Sequence, residues 1–256
     1  MNSKNFVLAL VVLTLCLSLN ALAAASGSSE LHVLSSNASR PAISELIPMF
    51  EKIYKIKVIV QYANNPILKQ QIEAGAEFDV VIIEPQMLIE LSKAGFVDED
   101  SVVALATIGM ALVSREGSPA VDIGSVESFK KVLLSAKSIA YTADGYSGTV
   151  FLRTLEQIGL RDKLKLKLVP VVGRLSTLTV AEGGAQYTAF PLGSPVPGVQ
   201  IAGQFPEEIQ TYIGISAATS SHTVAPTSAG AFLEYLQSES AKTLFKSKGF
   251  RPSPTR

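Results

Sequence analysis

The chain has 256 residues, with 22 basic and 22 acidic side chains, two histidines and a single cysteine. An even charge balance without a basic stripe argues against nucleic acid or an anionic membrane surface as a partner. The one thiol, Cys16, lies in an apolar N-terminal run, so disulfides, thiolate metal sites and cysteine catalysis are excluded from the rest of the chain.

Residues 1–25 read as a secretory signal peptide. Lys4, the apolar run "FVLALVVLTLCLSL" and the small-residue stretch "NALAAAS" follow one another in the required order, with cleavage near Ala23 or Ala25. Leu15 precedes Cys16 where lipid attachment wants a small residue, so no lipid anchor is expected. The run is short and has no basic stop-transfer flank, so it does not read as a permanent span. The expected product is a periplasmic protein, not inserted in the membrane after cleavage, that relies on an aliphatic core.

"LHVLSS" reads as a strand that runs into a polar cluster, Ser35, Ser36, Asn37 and Ser39. Pro41 marks the first turn of a helix in which Ile43, Leu46, Ile47, Phe50, Ile53 and Tyr54 recur at helical spacing. "KVIVQY" is a strand. "NNPILKQQIEAG" is a helix capped by Asn64 or Asn65, with Pro66 at its start and Gly75 as its stop. "FDVVIIE" has the continuous apolar character of a strand buried on both faces, and "PQMLIELSKAG" is a helix between Pro85 and Gly95. "VVALATIGMALVSREG" is a long extended run of the kind that leaves one lobe for another. Beyond it come strand "SIAYTA", loop "DGYSG", helix "TVFLRTLEQIGL", strand "KLKLVPVV", a short helix near 174–182 and strand "QYTAF". "PLGSPVPGVQIAGQFP" reads as an irregular connection. "TYIGISAAT" returns the chain to the first lobe, and "AGAFLEYLQSESAKTLFKSKGF" supplies two closing helices. Short β-branched runs alternating with amphipathic helices define an α/β fold with mostly parallel sheets.

In such sheets ligands bind beyond the carboxyl ends of the strands. Four segments fall there: Ser36 to Ser39, Ala63 to Asn65, Tyr146 to Thr149 and Val171 to Gly173. Each places small or amide residues before a helix start, where free backbone N–H groups suit an anion. One helix N-terminus contributes only about 0.3–2 kcal/mol toward an anion, so a site without fixed cations needs several of them converging. Each segment, taken alone, is also explained by ordinary N-capping.

Motifs for hydrolysis or metal binding are absent. "GYSG" has Thr149 where a nucleophile elbow needs its second glycine, and His32 and His222 show no metal-ligand spacing. "NAS" at 37–39 matches the N-glycosylation acceptor pattern, which is discounted beside a bacterial-looking signal.

"VLSSNASRPAISELIPMFEK", "LKQQIEAGAEFDVVII", "GYSGTVFLRTLEQIGL" and "FLEYLQSESAKTLFKSKGF" resemble the periplasmic molybdate-binding proteins of ABC importers over nearly the whole mature chain. The resemblance implies a two-lobed periplasmic-binding-protein type II fold: each lobe is a mostly parallel sheet flanked by helices, and two extended crossovers join the lobes. It implies a first lobe of residues 26–108 and 216–256, a second of 109–215, hinge closure on a small anion, no cofactor, no metal, and a membrane permease as partner. A monomer is expected. The family's first-lobe serines fall on Ala38 and Asn65 and its second-lobe tyrosine on Ala189, while Ser147 and Val171 take positions where the backbone N–H acts.

The expected ligand-binding set is therefore Ser36, Asn37, Ala38, Ser39, Asn64, Asn65, Tyr146, Ser147, Gly148, Thr149, Val171, Gly173, Arg174 and Ala189. Lost hydroxyls and a roomier pocket favour a small organic carboxylate over a tetrahedral oxyanion, with Arg153 or Arg174 available for a bidentate contact. Some relatives are described as aconitate isomerases. On this scaffold such an enzyme needs a base, for which Glu84 is the candidate, though a helix-capping acid before Pro85 explains that residue equally well.

Overall fold

The computed structural model describes residues 30–193 and 196–253. The expected signal peptide lies outside them. Ten strands form one continuous sheet system in the order β2-β1-β3-β9-β4-β7-β5-β6, with β8 and β10 also paired to β4.

The first lobe is built on β1 (Glu30–Ser36), β2 (Lys57–Ala63) and β3 (Val80–Ile83). Both β2 and β3 run parallel to β1, while β3 meets β9 (Tyr212–Thr219) antiparallel. All four residues of β3 are buried, as its unbroken apolar sequence requires of a strand covered on both faces. Helix α1 (Arg40–Tyr54) buries Ala42, Ile43, Leu46, Ile47 and Phe50. Ile53 and Tyr54 share its apolar period but are exposed at the end of the helix. Phe50 packs against Tyr54, Phe232 and Tyr235 with ring centroids 4.6, 4.9 and 5.5 Å away, so Phe50→Ala is expected to cost about 3–5 kcal/mol.

The second lobe is built on β5 (Ile139–Thr142), β6 (Leu168–Val171) and β7 (Tyr187–Pro191), with β6 and β7 parallel to β5. Pro170 sits in β6 without penalty because that strand is the sheet edge.

Strand β4 (Val103–Arg115) joins the lobes. Its residues up to Gly109 pair with β9, and Ala106 to Ile108 also pair with β10 (Phe250–Pro252). From Met110 onward it pairs with β7 and β8 (Val199–Gln204). At the changeover the Gln210 side chain stands in for a strand neighbour: Met110 N–H donates to its Oε1 (2.7 Å), and its Nε2 donates to the Met110 carbonyl (3.0 Å). The second crossover, residues 205–211, runs beside this clamp. The expected boundary at 215/216 falls inside β9, whose residues from Tyr212 already pair with the first-lobe half of β4.

Three further elements differ from the sequence reading. Helix α4 (Val126–Ser135) occupies a stretch left unassigned, closed at its start by a reciprocal Ser125–Ser128 capping box rather than one ending in Glu or Gln. Strand β8 lies inside the expected irregular connection, and β10 follows the last helix. Helix α5 (Tyr146–Gln157) starts three residues before Thr149, taking in most of the expected loop. The remaining helices are α2 (Asn65–Glu73), α3 (Pro85–Lys93), α6 (Arg161–Leu164), α7 (Ser176–Ala181), α8 (Pro226–Leu236) and α9 (Glu239–Ser247).

Candidate functional site

Strands β1, β2 and β5 each end where a helix begins, and their ends meet at one cleft. It is lined by Ser36, Asn37, Ala38, Asn64 and Asn65 from the first lobe, Thr142, Gly145, Tyr146, Ser147, Leu175, Phe190 and Pro191 from the second, and Ile213 of β9. No lysine, arginine or histidine is among these residues. Polarity comes instead from amides, hydroxyls and the starts of α1, α2 and α5.

Those helix starts share one feature. Neither Ser39 before α1, Asn64 before α2 nor Gly145 before α5 makes a side-chain cap bond. In α2 and α5 the leading N–H groups of Asn65, Ile67, Tyr146 and Ser147 have no protein acceptor among the described residues and are left to whatever enters the cleft. In α1, by contrast, the Arg40 N–H donates to the Asn37 carbonyl (3.3 Å), and Ala42 and Ile43 donate to the Ser39 carbonyl. Proline occupies the second helical position in α1 and α2, as Pro41 and Pro66, and removes a donor there; in α5 the same position is Ser147, which keeps its N–H. Gly148 allows α5 to press on β5: a Cβ there would lie 1.9 Å from the Thr142 carbonyl oxygen.

The serine cluster divides in two. The Ser39 hydroxyl donates to the Ser36 carbonyl (2.9 Å) and bonds the Ser35 hydroxyl (2.8 Å), so Ser35 and Ser39 hold the loop while Ser36, Asn37 and Ala38 face the cleft. Asn65 is 6% exposed, and its Oδ1 has no hydrogen-bond partner. On the second-lobe side, the Thr142 and Thr188 hydroxyls both donate to Ser176 Oγ, at 3.1 and 2.7 Å, which fixes the turn carrying Leu175. Burial, then the charge of nearby Glu84, pushes the Tyr146 hydroxyl above its ordinary pKa, so it is a proton donor at neutral pH.

The other expected site residues lie outside the lining. Gly148 and Thr149 sit one turn into α5, Val171 ends β6, and Ala189 is buried in β7 beside lining residues Phe190 and Pro191. Arg174 is ion-paired with Glu182 at 2.6 Å, and Arg153 is exposed on α5. Glu84 caps α3, with Oε2 accepting the Met87 N–H at 3.2 Å. Thr142, Gly145, Leu175, Phe190, Pro191 and Ile213 were not singled out in the sequence, since apolar residues at strand ends look like core.

A chain of polar groups runs along the cleft edge from one lobe to the other. Arg40 stacks on the Tyr62 ring (4.5 Å) and donates to Asn37 Oδ1 (3.0 Å); Asn37 Nδ2 donates to Asn64 Oδ1 (3.0 Å). Asn64 Nδ2 then donates to Asp144 Oδ1 (3.3 Å), whose Oδ2 accepts the Gly173 N–H (2.9 Å). A separate cavity brings His32 and His222 together with Asp79, Phe78 and Phe96. The Asp79 carboxylate accepts there from the backbone N–H of His32 and from the Thr223 hydroxyl. Among the described residues no group of three or more His, Cys, Asp or Glu is placed to hold a metal.

Two α/β lobes, two crossovers and a cleft faced by helix starts define the fold of the type II periplasmic binding proteins. Residues 31–251 match the model of the bacterial extracellular solute-binding proteins, and the chain belongs to that family. It is 31% identical over 245 residues to an aconitate isomerase of a Pseudomonas species, covering 91% of this chain and 92% of that one. It is 24% identical over 219 residues to the molybdate-binding protein of Escherichia coli strain K12, covering 82% and 84%. The periplasmic molybdate-binding protein of Azotobacter vinelandii superposes with a TM-score of 0.72 at 19% identity, covering 88% of this chain and 100% of that one. No helix among the described residues is long and apolar enough to cross a membrane.

Proposed function

We propose that the chain binds a small organic carboxylate in the interlobe cleft, as the solute-binding component of an ABC-type importer that hands its ligand to a membrane permease. The observation that carries this reading is the convergence of two helix starts with unpaired leading N–H groups, α2 and α5, on a cleft without cations. Carboxylates fit such donors. Leu175, Phe190, Pro191 and Ile213 add an apolar wall that suits a carbon skeleton better than a fully hydrated tetrahedral oxyanion. Thermal denaturation with a panel of carboxylates and oxyanions tests it. A di- or tricarboxylate at a hundred times its Kd stabilises the fold by about 2.7 kcal/mol, and molybdate, tungstate and sulfate do much less. A large shift with molybdate and none with any carboxylate overturns the carboxylate reading.

A second reading is favoured by the relative named as an aconitate isomerase: the cleft binds an unsaturated tricarboxylate and moves a proton on it. Removing that proton needs a base, for which Glu84 is the candidate although it is engaged as a helix cap, and Tyr146, which lines the cleft and stays protonated at neutral pH, is the proton donor. Incubation with cis-aconitate followed by proton NMR separates the two. Appearance of the trans isomer, with loss of turnover in Tyr146→Phe, replaces the transport reading.

A further inference from the structure

We infer that Asp144 is a positioning residue that latches the two lobes together and thereby sets the affinity of the cleft. The inference rests on reading the cleft as an anion site only for its effect on affinity. The latch itself follows from hydrogen bonding. A guanidinium only donates and a carboxylate only accepts. Arg40 at one end of the chain and Asp144 at the other therefore fix the orientation of both amides between them, Asn37 and Asn64. Each amide passes the same polarity on, so the bonds reinforce one another. One link in this chain, from Asn64 to Asp144, crosses from the first lobe to the second.

Asp144 is itself held rigid. Its second oxygen accepts the Gly173 N–H at 2.9 Å, and it immediately precedes Gly145 at the start of α5. Asn64 immediately precedes Asn65 at the start of α2. Joining Asn64 to Asp144 thus brings the donors of two lobes to one spacing, and hinge opening about the Gln210 clamp has to break that bond. Asp144 is half-buried and bonds both Asn64 and the Gly173 N–H of its own lobe, so melting temperature is read beside lobe spacing to separate the two effects.

The test uses the full mature chain and three variants, Asn64→Ala, Asp144→Ala and the double mutant. X-ray scattering of the protein without added ligand reads the lobe spacing, and calorimetry with trans-aconitate reads affinity. Each single variant is expected to raise the radius of gyration and weaken trans-aconitate binding about tenfold, as loss of one charge-assisted hydrogen bond does. The double mutant is expected to be no worse than either single, because both remove the same bond. Asp144→Asn, which keeps one acceptor oxygen, falls between wild type and Asp144→Ala. Melting temperatures of the single variants stay within a few degrees of wild type. An unchanged radius of gyration in Asp144→Ala, or additive losses in the double mutant, overturns the latch. If the wild type binds no carboxylate, the functional reading fails, while the scattering arm still decides on the latch.

Discussion

Helices in this protein begin in two ways. Outside the cleft lining, Glu84 caps α3, Ser125 caps α4 through a reciprocal box, and Ser238 caps α9. At the cleft, Ser39, Asn64 and Gly145 leave α1, α2 and α5 without a side-chain cap. Two of those three residues are good capping types, and their side chains are turned to other partners: Ser39 to the Ser36 carbonyl, Asn64 to Asp144. An unused N–H group is a stability loss for the isolated fold and a gain once an anion arrives. The open donors set α2 and α5 apart from the capped starts, while α1, though without a side-chain cap, has its leading N–H groups bonded to the Asn37 and Ser39 carbonyls. Helices α6, α7 and α8 also start without a side-chain cap, after Leu160, Leu175 and Ala225, so a missing cap alone does not mark the cleft.

The largest expected effect concerns how tightly α5 approaches its strand. In Gly148→Ala the new methyl meets the Thr142 backbone carbonyl at 1.9 Å, where nothing flexible can yield. A loss of about 3 kcal/mol is expected, the upper end of overpacking effects. Gly230→Ala in α8 is the control: nothing lies within 4 Å of its Cβ, and a gain of roughly 0.5–1 kcal/mol is expected. Urea denaturation of both variants checks this. Next comes Ser147→Pro, which makes α5 begin as α1 and α2 do, with proline in the second helical position. The fold is expected to tolerate it. Ligand affinity should fall by the worth of one charge-assisted bond, about 1.5–3 kcal/mol, in a calorimetric titration. Unchanged affinity would mean that the Ser147 amide is not part of the site.

The α/β rhythm was legible because the buried strands and amphipathic helices of the first lobe follow simple periods, as in β3 and α1. Helix α4 was missed since its box closes with Ser128 instead of an acid, and β8 since the prolines and glycines that flank it look like a loop. Gly203 in β8 is small because a Cβ there would strike Ile123, 2.6 Å away, a tertiary fact no local pattern reveals. At the site, Asn37, Asn64, Asn65, Tyr146 and Ser147 could be picked out because helix starts after strands have a recognisable polar signature. The apolar wall had no such signature, and the Arg174–Glu182 pair depends on a turn geometry that spacing alone does not specify.

A smaller effect is expected where a side chain does cap. Ser125→Ala breaks the box at α4 and should lower stability by about 1 kcal/mol without touching affinity. For a chain of this size that is about 2–4 °C in melting temperature.

The smallest effect tests whether Glu84 belongs with the capping residues or with the cleft. Its Oε2 accepts the Met87 N–H, and in Glu84→Gln the amide oxygen still accepts that bond while the charge at the helix start is lost. The expected loss is about 0.3–1 kcal/mol, the worth of one anion at a helix N-terminus. The same charge is the second cause, after burial, of the raised Tyr146 pKa. Removing it therefore lowers that pKa toward the ordinary tyrosine value, while burial keeps it above. A group that resists ionisation in the fold destabilises the fold once pH passes its unfolded pKa, since only the unfolded chain then releases the proton. The alkaline loss of stability should accordingly be shallower in Glu84→Gln, and ultraviolet titration of Tyr146 against a Tyr146→Phe blank reads the shift directly. An unaltered alkaline limb with intact ligand binding would place Glu84 wholly among the caps.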